Sequence, residues 1–226
     1  MRAVEAGLPP GKTVRYGDRA NRRADGGAES PSTADNLQID PALLGSLVHE
    51  VIERLDPSRP ENLGSLVSQA LRAAGETNHS ALKSAVEVCV HGYAESATAR
   101  EIASADVCRR ELDFLLGWPL GESRTHSAVI SGQIDCLYRR DGRWKLVDFK
   151  TGTEAARDPQ RALDHYRVQL ILYALAVREM IGTLPESVEL VLLAEKPARV
   201  EFRLTDGAIA ESVARIDSAI EWLRRG

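Results

Sequence analysis

At 226 residues, with 43% hydrophobic and 27% charged positions, the chain can bury a real core, and its length suits one domain with appendages. A net charge of −4 excludes a molecule that is basic as a whole, so any nucleic-acid contact must come from local clusters such as Arg139-Arg140-Asp141-Gly142-Arg143. No apolar run approaches the roughly 20 residues of a membrane helix, nothing near the N-terminus resembles a signal peptide, and three widely spaced cysteines without a CxxC pair argue against zinc fingers, iron–sulfur clusters and a disulfide framework. The expectation is a cytoplasmic protein in a reducing compartment.

Residues 1–37 are rich in Gly, Pro, Ser and Arg and have no sustained period, which reads as a flexible leader or linker, with the folded domain over 38–226. The run Gly7-Leu8-Pro9-Pro10-Gly11-Lys12-Thr13 is no phosphate-binding loop. It has three residues rather than four before Gly-Lys, and two are prolines without amide hydrogens.

From Asp40 a helix is predicted, with Asp40 as N-cap, Pro41 at the first helical position, and Leu44, Leu47, Val48, Val51, Ile52 and Leu55 on one face. Further helices are expected over Pro60–Ala74, stopped by Gly75, and over Ser80–Ser104. The period then shifts towards two, predicting strands near Val107–Leu116, Ser127–Arg139 and Arg143–Lys150. A long helix near Pro159–Ile181, strands at Ser187–Ala194 and Val200–Leu204, and an amphipathic helix near Asp206–Arg224 complete the order. Such a succession predicts an α/β fold, one central mixed sheet flanked by helices.

Asp141-Gly142 is a two-residue hairpin signal that pairs Arg140 with Arg143, and the same register sets Asp135 opposite Asp148. On this reading the two carboxylates share a face, about 5 Å apart at Cβ. Lys150 and Gln133 lie on that face too, while Ile134, Cys136, Val147 and Phe149 point to the other side. Facing carboxylates repel unless a cation joins them, and hard oxygen ligands suit Mg²⁺ or Mn²⁺. A neighbouring lysine could assist a water attacking phosphorus. The alternative is that one aspartate pairs with Lys150 or an arginine and the other is solvated.

The pattern resembles the PD-(D/E)XK nucleases, in particular the RecB-like branch found at the C-terminus of bacterial helicase–nucleases. The resemblance rests on five pieces in the family's order over residues 44–176: the helical His49 in Gly45–Glu53, Glu111 in Arg109–Phe114, Asp135 in Gly132–Tyr138, Asp148 and Lys150 in Leu146–Gly152, and Gln169 and Tyr173 in Tyr166–Ala176. It implies a restriction-endonuclease-like core and a divalent-metal-dependent DNA nuclease, of exonuclease type, in DNA repair and recombination. Asp135, Asp148 and Lys150 would be catalytic. His49, Asp135, Asp148 and the Phe149 carbonyl would hold Mg²⁺ or Mn²⁺, with Glu111 a further candidate ligand. Gln169 and Tyr173 would touch DNA, and Tyr166 and Arg167 on the same helix are expected to line the DNA groove with them. The cysteines of iron–sulfur-bearing relatives are missing, so no cluster is expected, and a helicase motor would have to come from another chain or a longer one. Bland readings stand beside these roles: His49 as a packed core residue, Gln169 and Tyr173 as ordinary packing, Glu111 as an ion-pair partner of Arg109 or Arg110, and the whole chain as a non-cleaving module that binds DNA ends or a helicase.

Overall fold

The computed structural model describes residues 14–15, 39–56, 58–77, 79–120, 128–152 and 158–225. Most of the expected leader, including the Gly7–Thr13 run, lies outside them. Within it, Val14–Arg15 forms a short strand, β1, parallel to β3.

Helix α1 (Pro41–Arg54) starts as the capping pattern predicts: the Asp40 side chain accepts the Ala42 N–H at 2.9 Å and Pro41 opens the first turn. Its buried face is Leu47, Val48, Val51 and Ile52. A 3₁₀ turn at Pro60–Asn62 leads into α2 (Leu63–Ala73), and Gly75, at φ +79°, ends that run where a side chain would be strained. The single helix expected over Ser80–Ser104 is two, α3 (Ser80–Glu95) and α4 (Ala97–Ala103). Ser96 divides them: it turns extended, at ψ 161°, and its hydroxyl accepts the Ala99 N–H, capping the second helix. Helical periodicity continues across the break, so the split has no apolar signature.

The strands are β2 (Val107–Trp118), β3 (Ala128–Arg140) and β4 (Arg143–Thr151), an antiparallel meander, then β5 (Ser187–Leu193) and β6 (Ala198–Phe202). Helix α5 (Pro159–Ile181) crosses over between β4 and a parallel β5, β6 returns antiparallel, and α6 (Asp206–Arg225) ends the described chain. The order is β1-β3-β4-β5-β6, with β2 on β3. β5 is buried throughout, as a central strand covered on both faces should be.

Two apolar layers cover the sheet. One joins α1–α4 to Cys136, Tyr138, Val147 and Phe149; the other joins α5 and α6 to Ile134, Leu137, Leu146, Leu190 and Phe202. On the first side Gly92 of α3 comes so close to the turn after β5 that a Cβ there would lie 2.1 Å from the Ala194 carbonyl oxygen. No helix among the described residues is long and apolar enough to cross a membrane.

Candidate active site

The hairpin register is as expected: Arg140 pairs with Arg143 and the ladder runs to Cys136 opposite Val147. It ends there, one pair short of Asp135 and Asp148. In place of a ladder bond, the Phe149 N–H donates to the Asp135 carboxylate, Oδ2 at 2.6 Å. Asp135 thus ties β3 to β4 through its side chain, within electrostatic reach of Asp148.

The β2–β3 ladder is interrupted at the same level. Residue pairs are in constant register on both sides, yet Glu111 and Asp135 are missing from it, and Glu111 has φ +47°. At this level both strands change the face they present. Cys108 and Arg110 of β2, and Cys136 and Tyr138 of β3, face α1–α4, whereas Leu112, Phe114 and Leu116, and Ile130 and Ile134, pack in the α5–α6 layer. Strict alternation would keep each set on one face. Ile134 therefore does not share a face with Cys136, which corrects the expectation drawn from period alone. A non-glycine residue in the left-handed region costs about 1–2 kcal/mol, and such strain concentrates where a side chain must be aimed.

The aim is towards His49. Its Nδ1 lies 3.8 Å from Glu111 Oε1 and 3.8 Å from Asp135 Oδ2, and ligand atoms of these three residues lie within 4.8 Å of one another. His49 Nε2 is 3.0 Å from the Phe149 carbonyl oxygen and donates to it, so Phe149 steadies Asp135 through its N–H and His49 through its C=O. The Phe149 ring is itself held edge-on by Tyr93, with centroids 5.2 Å apart. Arg110 fixes the helix above: its guanidinium donates to the carbonyls of Ile52, Glu53 and Leu55, the open C-terminal end of α1. Arg109 donates to its own strand, to the Cys108 carbonyl. Neither arginine is the partner of Glu111 that the sequence suggested. Gly45 lets α1 close on the end of β4, and the atom that approaches is a side-chain one, Thr151 Oγ1, 3.3 Å from where a Cβ would lie.

Asp148 and Lys150 lie towards α5. Lys150 Nζ is 3.2 Å from Asp148 Oδ2 and 3.3 Å from Oδ1, and it sits 5.0 Å from the centroid of the Tyr166 ring. Asp148 is fully buried and Lys150 only 5% exposed, so each charge depends on the other. Gln169 uses both amide hydrogens, one to Asp148 Oδ1 at 3.3 Å and one to the Tyr173 hydroxyl at 2.7 Å. Arg167 turns elsewhere, bonded to Asp164 at 3.0 Å and 3.7 Å from Glu211 of α6. Gln133 donates to the Glu111 carbonyl and the Asp113 carboxylate.

Burial pushes the Asp135 carboxyl up, to about 7, and the nearby Asp148 charge adds to the rise. Burial works against a charged His49, but the Glu111 and Asp135 carboxylates, each 3.8 Å from Nδ1, outweigh it and raise the imidazole to about 9. An imidazolium proton between two carboxylates marks a place that attracts positive charge, and an oxygen-rich set with one imidazole fits a small divalent cation.

A family model described as the PD-(D/E)XK nuclease superfamily matches residues 15–225. The chain belongs to this superfamily. Among its relatives, an ATP-dependent helicase/nuclease polypeptide of Moorella thermoacetica is 28% identical over 173 residues, 71% of this chain and 12% of that protein. The Streptococcus mutans protein of the same name is 29% identical over 168 residues, 73% of this chain and 13% of that protein. The chain thus spans 12–13% of the length of these relatives, which are of the helicase–nuclease kind that the RecB-like resemblance implied. A solved structure from Eubacterium rectale, named as a candidate exonuclease, matches with a TM-score of 0.50 at 15% identity over 76% of this chain and 66% of that one. That likeness is one of fold, a restriction-endonuclease-like α/β core.

Proposed function

We propose that this member of the nuclease superfamily is a divalent-metal-dependent deoxyribonuclease, of exonuclease type, acting in DNA repair or recombination in the cytoplasm. The observation that carries the reading is the convergence of His49, Glu111 and Asp135 beside the buried Asp148–Lys150 pair. His49 Nδ1, Glu111 and Asp135 would hold Mg²⁺ or Mn²⁺, with Asp148 next to them. The Phe149 carbonyl, which already accepts the His49 Nε2 hydrogen, would have its second lone pair to offer the cation. When bound, the cation supplies charge stabilisation at a phosphate oxygen and a water of lowered pKa.

The chain's own residues have distinct tasks. Lys150 presents an ammonium to the charge that develops on phosphate, and Asp148 and the Tyr166 ring keep it aimed. Gln169 holds Asp148 from the far side and borders the path of a DNA strand, while Tyr173, buried and edge-on to Phe114, steadies Gln169 through its hydroxyl. Arg167 could meet a phosphate after leaving Glu211. The relatives' helicase/nuclease name supports a helicase motor as partner, in another chain or a longer one, that delivers DNA to a domain too acidic to attract it from afar.

The test is incubation of the purified chain with labelled linear and circular DNA in Mg²⁺, Mn²⁺ or EDTA. Metal-dependent loss of linear DNA ends is expected. Cleavage that survives EDTA would overturn the metal assignment, equal cutting of circles would overturn the exonuclease type, and binding without cleavage in either metal would identify a non-cleaving module.

A further inference from the structure

Two of the three cysteines meet next to the site. Cys108 of β2 and Cys136 of β3 lie diagonally across the ladder, since Cys108 pairs with Tyr138 and Cys136 with Arg110. Their Sγ atoms are 3.8 Å apart, whereas Cys89 is buried elsewhere, its thiol directed to the Leu193 carbonyl. Cys136 directly follows Asp135, and Cys108 lies on the same strand as Arg110 and Glu111.

We propose that Cys108 and Cys136 are a reversible oxidation site, closed to a disulfide by a small-molecule disulfide such as oxidised glutathione, and that closure disarms the neighbouring Glu111–Asp135 end of the site. The second half of this statement rests on the nuclease reading; the first does not.

Access and geometry set the order of events. Cys136 is fully buried and Cys108 only partly so, which makes Cys108 the sulfur an oxidant reaches. The contact with the Cys136 thiol holds the Cys108 thiol below its ordinary range, against the effect of burial and with help from the Arg110 charge. The Cys108 thiolate attacks one sulfur of oxidised glutathione, forming a mixed disulfide and expelling one glutathione thiolate. Cys136 then attacks the Cys108 sulfur and expels the second glutathione, its proton passing to a departing thiolate. Two protein thiols lose two electrons, and one glutathione disulfide becomes two thiols.

A disulfide has its sulfurs about 2.0 Å apart, so the pair must close by about 1.8 Å. Cys136 is clamped in the α1–α4 layer, and the movement falls on β2. Arg110 then shifts with β2, and with it the anchor on the α1 carbonyls and the aim of Glu111 at His49.

The full chain, reduced or treated with oxidised glutathione, is denatured, labelled with iodoacetamide and analysed by intact mass and peptide mapping. Cleavage of linear DNA in Mn²⁺ is followed in parallel. After oxidation only Cys89 should label, cleavage should fall at least tenfold, and dithiothreitol should restore both. Cys108→Ser should keep cleaving in oxidant, and Cys108→Ala serves the same purpose if serine disturbs the fold. Three labelled cysteines after oxidation, or a bond involving Cys89 or a second chain, would overturn the site. A Cys108–Cys136 bond with unchanged cleavage would overturn its effect on the nuclease. Reduced protein that cuts no DNA in any metal would fault the nuclease reading itself, while the labelling still decides whether the bond forms.

Discussion

Glu111 offers a perturbation that separates what its backbone costs from what its side chain does. Replacing it with alanine removes the carboxylate but keeps a Cβ at φ +47°; replacing it with glycine removes both. A Cβ in the left-handed region costs about 1–2 kcal/mol, partly offset by the roughly 0.5–1 kcal/mol of extra backbone entropy that glycine loses on folding. Glu111→Gly should therefore be the more stable of the two by about 1 kcal/mol, which for a domain of this size is about 2–4 °C in Tm. Thermal unfolding followed by circular dichroism in EDTA reads that difference. In the same two proteins, metal-dependent DNA cleavage should fall alike, by a factor on the order of 10² or more at limiting metal, because both lack the carboxylate 3.8 Å from His49. An alanine variant as stable as the glycine one would refute the left-handed conformation. Wild-type cleavage in both would refute the ligand role.

For Asp148 and Lys150, Asp148→Leu and Lys150→Met should each cost about 3–5 kcal/mol in urea denaturation, because each strands a buried charge, whereas the double variant should cost far less than their sum; additive costs would mean that the pair is not coupled, and cleavage should be lost in all three. At the opposite end of the sheet, burial pushes Glu101 up, but hydrogen bonds from Arg199, Tyr138 and Lys145 outweigh it and hold the carboxyl at about 2 against an ordinary 4.5. A depressed folded pKa gives stability that is present above pH 4.5 and lost as the pH falls towards 2, so Glu101→Gln should flatten the stability profile across that window by about 1–2 kcal/mol, after allowing for solvent screening. An unchanged slope in the variant would show that this network contributes nothing to acid sensitivity.

The sequence alone determined most of the element order, because most elements carry a local signal: Asp40-Pro41 at a helix start, Gly75 at a helix end, Asp141-Gly142 at a hairpin. The hairpin fixed the β3–β4 register, and register is a matter of counting residues from the turn. The Asp148–Lys150 neighbourhood followed from alternation along one strand, and the Gln169–Tyr173 contact from helical spacing. What only the tertiary structure decided is where those regularities stop. Ser96 breaks a helix whose apolar period runs on, because a side-chain cap there competes with the backbone bond it replaces. At the level of the left-handed Glu111 the faces of β2 and β3 switch, which no strict alternation announces, since apolar residues stand at even positions on both sides of the break. Glu111, His49 and Asp135 come from three elements separated by dozens of residues, and what brings them together is Arg110 on the end of α1 and Phe149 between the two strands. Contacts of that kind depend on how layers pack in three dimensions, and a sequence read along one dimension holds the residues without the packing that joins them.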